Sequence, residues 1–267
     1  MSSITLSAFA GEQHVSQLRV IRSEWTKLRS LPSTIWGLLA TVTLVVGVGL
    51  AYATLRVARP PADPSTFDSA AVSLAGIQLA QLAIGVLGVL FITGEYATGS
   101  IRVSLAAVPR RLQLLWGKAI TFGVATLVLA VPAVLVSFFA GQSILSAEHL
   151  DTGLGAPGVL RAVLGSALFL TAVGLLGLGL GTLLRSTAGG ISALFGLLFA
   201  PQLVLGLLPE SVSDAAYRYL PTPAGAAVSA IHRDPLALAP WTGLGLFCLY
   251  TAVMLALAAW QLLRHDA

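Results

Sequence analysis

The chain has 267 residues, of which 56% are hydrophobic and only 10% charged, with a formal net charge of +4 and a mean hydropathy of +0.88. Soluble domains carry about 25% charged residues, so this composition excludes an ordinary soluble enzyme. The cations flank long apolar runs, which points to anionic membrane lipid as their partner and not to nucleic acid.

Residues 1–34 precede the first apolar run and form a cytoplasmic segment. Within them, "QLRVIRSEWTKLRSLPS" places Leu18, Ile21, Trp25 and Leu28 on one helical face. Arg19, Arg22, Lys27 and Arg29 occupy much of the remainder, and Glu24 stands i,i+3 from Lys27, where the two can pair. The expectation is an amphipathic helix over Gln17–Leu31, lying in the plane of the interface and turned into the membrane at Pro32.

A bilayer core needs roughly 20 apolar residues per helix. Six charge-free runs meet that demand, giving expected spans at about 35–55, 70–93, 119–141, 162–184, 187–209 and 241–263 within a 35–263 transmembrane domain. The first run is too long and too far from the start for a signal peptide's apolar core, so it reads as a span. Only Arg185 and Ser186 separate the fourth run from the fifth. Counting Lys and Arg on alternate sides puts ten on the side of the N-terminus and five on the other. The positive-inside rule then makes both termini cytoplasmic, including the 264–267 tail. The fold class expected is all-α: a polytopic membrane protein of six transmembrane helices with an N-terminal amphipathic interfacial helix.

Between the second and third spans lies a basic cytoplasmic loop, 94–118. Pro109 breaks it in two, because proline disfavours helix at the residue before it and suits a first helical turn itself. One short helix is expected over Thr98–Ala107, with Ile101 and Leu105 on one face and Arg102 off it. A second starts near Pro109 and runs through Lys118 into the third span. Arg110 and Arg111 then occupy a first turn, where the helix dipole disfavours cations, so they are expected to meet lipid phosphates or an acidic surface.

The spans offer weak polarity. Gln78 and Gln81 are three apart on one face of the second, and Gln202 follows Pro201, whose missing N–H frees a carbonyl in the fifth. They either line a path for an amphipathic substrate or hydrogen-bond between helices. The fourth span carries Gly165, Gly174, Gly177, Gly179 and Gly181, which read as close helix packing. The external loop 210–240 is apolar enough over "AAYRYLPTPAGAAVSAI" to dip back into the interface.

No stretch matches the phosphate-cradling Gly-x4-Gly-Lys-Ser/Thr, and "GLGAPG" at Gly153–Gly158 lacks the strand a dinucleotide site requires. His14, His149, His232 and His265 all lie outside the spans without metal-ligand spacing. Cys248, the single cysteine, has no histidine in any span to activate it and is expected to pack in the core. Catalytic, cofactor-binding and metal sites are therefore expected to be none in this chain.

Glu95, Gly99-Ser100-Ile101, Leu105, Pro109-Arg110-Arg111 and Gly117-Lys118, in that order, make the loop resemble that of type-two permeases of ATP-binding cassette (ABC) exporters. "SEWTKLRS" at Ser23–Ser30 also looks like the N-terminal helix of bacterial members. Arg102 departs from the pattern, since many members carry an acidic residue there. The resemblance implies a permease subunit in a bacterial inner membrane, paired with a second permease and with a cytoplasmic ABC ATPase that holds the ATP and Mg. It implies export of an amphipathic or hydrophobic substrate such as a drug, a lipid-like metabolite or a peptide. Thr98–Ala107 would be the coupling helix and Gln17–Leu31 the connecting helix, and re-entrant helices would occupy 210–240. An ATP-independent ion-coupled transporter, or a non-transporting accessory subunit, stands as the alternative.

Overall fold

The computed structural model describes residues 16–59, 67–100, 111–231 and 236–264. Helix α1 (Gln17–Ser30) ends at Leu31 in extended conformation, and Pro32 at the first turn of α2 (Pro32–Ala58) starts the next helix where its missing N–H is harmless. A five-residue α3 (Ser69–Ser73) is followed by α4 (Ile77–Ala97), then α5 (Arg111–Leu145), α6 (Val159–Leu184), α7 (Thr187–Leu205), two short helices α8 (Glu210–Tyr217) and α9 (Pro221–Ala226), and α10 (Pro240–Arg264). Six helices, α2, α4, α5, α6, α7 and α10, are long and apolar enough to cross a membrane. The fold is all-helical, and no strand occurs among the described residues.

The second span differs from expectation at both ends. It does not begin at residue 70, because the chain turns between α3 and α4. There Gly76 lies against the backbone of α2, and a Cβ would stand 2.2 Å from the Val45 carbonyl oxygen. At the other end α4 continues to Ala97, so Glu95 sits on the last helical turn and not in a loop.

Helix α6 is the most enclosed of the six and packs on α4, α5, α7 and α10. Its glycines explain why. A Cβ on Gly177 would fall 2.1 Å from the Gly85 carbonyl oxygen, and one on Gly88 would fall 2.0 Å from that of Gly174. The α4 and α6 backbones therefore touch along this seam, in the close approach that small residues permit between membrane helices. Phe122 of α5 fills the space beside Gly174 and packs on Phe91 at 5.4 Å between ring centroids.

Helix α9 is buried inside one end of the bundle. Its Gly225 faces the Phe169 ring, ten residues or about 15 Å into α6. Thr222 donates to the Leu198 carbonyl of α7 at 2.9 Å, and the Tyr250 hydroxyl of α10 donates to the Tyr219 carbonyl at 2.7 Å. Cys248 faces outward, contrary to the core position expected from its apolar neighbours. Phe247 beside it points inward to Phe169, and the helical turn carries the next residue off that face.

Candidate functional site

The end of the bundle that holds α1 contains a closed ring of four charges. Lys118 Nζ stands 2.5 Å from Glu24 Oε2 and 2.7 Å from Glu95 Oε1. Lys27 Nζ stands 2.7 Å from Glu24 Oε1 and 3.0 Å from Glu95 Oε1. Two lysines thus alternate with two glutamates, and the ring is neutral. Lys118 is 0% exposed and Glu24 1%, so removing either leaves the buried ring with an unbalanced charge. The Phe91 ring lies 5.0 Å from Lys118 Nζ and adds a cation–π contact.

Local sequence explains how three helices reach one point. Gly117 leaves room for α1, since a Cβ there would meet Val20 Cγ1 at 2.6 Å. Lys118, the next residue, is thereby brought under Glu24. Gln17 donates to the Gln113 carbonyl at 3.1 Å and Thr121 to the Ile21 carbonyl at 3.4 Å, so α1 lies along the first turns of α5. Glu95 arrives from the last turn of α4. The Glu95–Lys118 pair closes the base of the segment between them, so both ends of the 94–118 loop are fixed to each other and to α1.

The face of α1 buried against the bundle is Val20, Glu24 and Leu28, which shares only Leu28 with the Leu18–Ile21–Trp25–Leu28 stripe. Leu28 belongs to both faces, Ile21 is half-buried, and Leu18 and Trp25 are exposed. The ion ring overrides the apolar stripe, because leaving Glu24 or Lys118 unpaired inside would cost more than exposing two apolar side chains to an interface. Arg22 and Arg29 remain exposed beside Leu18 and Trp25. Burial opposes the charge on Lys27, but hydrogen bonds and attraction from Glu24 and Glu95 outweigh it and hold the ammonium pKa above its ordinary value.

Of the loop residues singled out in the sequence, Ile101, Arg102, Leu105, Pro109 and Arg110 lie outside the described residues, with most of the expected Thr98–Ala107 helix. Thr98 and Gly99 belong to the end of α4: Gly99 has φ +70° and its N–H donates to the Tyr96 carbonyl at 3.2 Å. Ser100 is helical and its hydroxyl lies 2.9 Å from that of Thr98. Arg111 does not simply point outward, since its Nη1 donates to the Leu262 carbonyl at 3.0 Å and caps the end of α10. Nearby, the Arg185 guanidinium lies 5.8 Å from the centroid of the Tyr96 ring.

The glutamines are not gathered into one polar path. Gln81 is buried and donates to the Gln78 carbonyl at 2.9 Å, while Gln78 is exposed on a cavity at the α9 end. Pro201 and Gln202 are half-buried in α7, and no hydrogen bond joins Gln202 to either glutamine among the described residues. Lys118 and Val20 were missed as site residues. Lys118 carried a signal, being a cation at the mouth of an apolar span, with Glu95 at the end of the span before it and Glu24 in the N-terminal helix.

No group of His, Cys, Asp or Glu suited to a metal occurs among the described residues. Among curated proteins, none matches the chain. A family comparison matches residues 20–267, from the buried face of α1 to the C-terminus, to the ABC-2 family transporter protein. With nearly the whole chain covered and six apolar helices in place, the protein is a multi-pass membrane protein and belongs to the ABC-2 transporter family.

Proposed function

We propose that this chain is the permease subunit of an ABC exporter, pairing with a second permease subunit and driven by a separate ATPase on the cytoplasmic side. ATP and Mg belong to that partner. The chain sits in a bacterial inner membrane with its α1 end facing the cytoplasm, and it moves amphipathic or hydrophobic molecules outward. Helix α9, seated well inside the opposite end, serves as a re-entrant element on the external side.

The observation that carries this reading is the ion ring at the base of the 94–118 segment. An ATPase pressing on that segment presses on a base made of the end of α4 and the start of α5. Glu95 and Lys118 hold these two together, and Glu24 and Lys27 tie both to α1. A local push therefore moves three helices as one body instead of bending a loop. Helix α1, with Leu18 and Trp25 at the interface, acts as the lever arm that keeps the body level with the membrane surface.

The test is copurification followed by reconstitution. The chain expressed with its native partners is expected to bring down an ATPase, and vesicles holding both are expected to export an amphipathic dye only with ATP and Mg. Gly99→Ala, next to the ring but outside it, is expected to lower transport while leaving the ATPase bound. Transport by the chain alone under an ion gradient would overturn the reading in favour of ion coupling.

A further inference from the structure

A cavity of about 730 Å³ opens beside the ring, between α1, the start of α2 and the end of α4. This size suits a small organic ligand. Its polar side carries Ser23, Lys27, Ser30 and Glu95, and its apolar side includes Leu90 and Phe91. Leu90 also lines a second, almost wholly apolar groove of about 360 Å³ between α2 and α4, with Gly37, Ala40, Ala83 and Val86. Leu90 is thus the wall the two spaces share. From Leu90 to Ala83 the groove follows two turns of α4, about 10 Å.

Three hydroxyls on the polar side have spent their protons, and Ser33 at the rim keeps its own. The Ser23 hydroxyl donates to the Val20 carbonyl at 2.8 Å, Ser30 to the Lys27 carbonyl at 3.0 Å, and Thr98 to the Gly94 carbonyl at 3.0 Å. A hydroxyl whose proton is committed offers only lone pairs to a newcomer. Lys27 is turned onto two carboxylates. Glu95 receives both lysines on Oε1, and its Oε2 is buried without a hydrogen-bond partner. A buried carboxylate oxygen left unpaired calls for a donor.

Resting on the exporter reading above, we propose that the cavity and groove together bind an amphiphile with an ammonium head and one alkyl tail. The head takes the hydroxyl lone pairs and competes with Lys27 for Glu95, and the tail lies along Ala83, Val86 and Leu90 against Ala40. The substrate class thereby narrows from amphipathic molecules to cationic ones, taken from the same face that receives the ATPase. An anionic head finds no free donor among Ser23, Ser30 and Thr98, only the rim hydroxyl of Ser33, and faces the Glu95 carboxylate.

The test uses the full chain, without ATPase, in phosphatidylcholine nanodiscs. Three photoreactive probes share one decyl tail and carry an ammonium, a hydroxyl or a sulfate head, with crosslinks mapped by mass spectrometry. The ammonium probe is expected to label residues 83–90 and 37–40 about tenfold more than the other two, the ratio one good charge pair sustains. Ala40→Phe fills the groove from an exposed position and is expected to reduce that labelling about tenfold with no change in thermal stability. Equal labelling by all three probes, a preference for sulfate, indifference to Ala40→Phe, or no labelling because a second copy covers the groove would each overturn the proposal. Failure here leaves ATPase copurification untouched, and failure of copurification leaves ammonium binding standing, so the two readings fall separately.

Discussion

The two ends of the bundle are held by different chemistry. At the α1 end four full charges close a ring, with Lys118 and Glu24 buried and Lys27 partly open. At the α9 end most of the work is done by neutral groups, with the Asp68 carboxylate as the charged exception. Ser137 donates to the Val45 and Ser73 carbonyls at 3.0 and 2.7 Å, and Gln142 donates to the Ser69 carbonyl and Ser73 hydroxyl and accepts from the Thr152 N–H. Asp68 caps α3 through Oδ1 and accepts from the Ile231 N–H through Oδ2. Neutral bonds between backbone and short side chains fix one geometry, since each partner sits on a helix that cannot turn. Charges on long lysine stems can exchange partners while staying paired. Under the proposed function the α1 end transmits displacement and the α9 end resists it.

The largest effect that would break this contrast comes from the ring. Lys118→Met leaves Glu24 buried with only Lys27 to balance two carboxylates, and a loss of about 3–5 kcal/mol is expected, read as thermal unfolding in detergent. Adding Glu24→Gln to Lys118→Met removes the stranded charge and is expected to recover most of that loss, leaving a Glu95–Lys27 pair. If the double variant is no better than the single, packing around Lys118 and not charge holds α1.

The seam between α4 and α6 comes next, because both ends hang on it. Gly88→Ala drives a methyl into the Gly174 carbonyl and is expected to cost about 1–3 kcal/mol, as overpacking does. Gly47→Ala, on α2 with nothing within 4 Å of the new Cβ, is the matched control and is expected to be neutral or slightly stabilising. At the α9 end Gln142→Ala strands the Thr152 N–H and takes one of its donors from the Ser69 carbonyl, which keeps the Ser73 hydroxyl, with about 1–3 kcal/mol lost. Transport coupling is expected to survive that loss at permissive temperature, because the affected groups are far along the bundle from the ring. A coupling defect in Gln142→Ala larger than that of Gly99→Ala would reverse the assignment of the two ends. For Gly99→Ala itself, a φ of +70° makes the alanine about 1–2 kcal/mol less favourable.

Six spans and an all-helical fold were legible because length and the absence of charge settle them without any tertiary knowledge. The glycines of α6 also declared themselves, since five small residues in one span have few uses other than close approach. The site was legible only in part. The sequence offered Glu24, Lys27 and Glu95, and it paired Glu24 with Lys27, but nothing local relates residue 24 to residue 118. That contact depends on Gly117 admitting α1, which is a fact of packing. Periodicity places Leu18 and Trp25 on the apolar face of α1, but it does not find Val20 and Glu24, which face the bundle beside Leu28. Arg111 likewise reads as an outward cation until α10 ends beside it.

The smallest effect concerns Lys27, the most exposed member of the ring at 38% against 12% for Glu95. Its pKa is raised above the ordinary 10.5 by the two glutamates despite its burial. A cation with a raised folded pKa contributes stability that is complete below its unfolded pKa and lost as pH climbs through the folded one. The gap in melting temperature between the native chain and Lys27→Met is therefore expected to be small, to stay constant through the neutral range, and to close only above about pH 10.5. Salt is expected to narrow it too, because this lysine is the ring member most exposed to screening. A gap that closed near neutral pH would mean that Lys27 loses its proton there, and the ring would then be a buried Glu24–Lys118 pair with a loosely attached edge instead of a four-charge circuit.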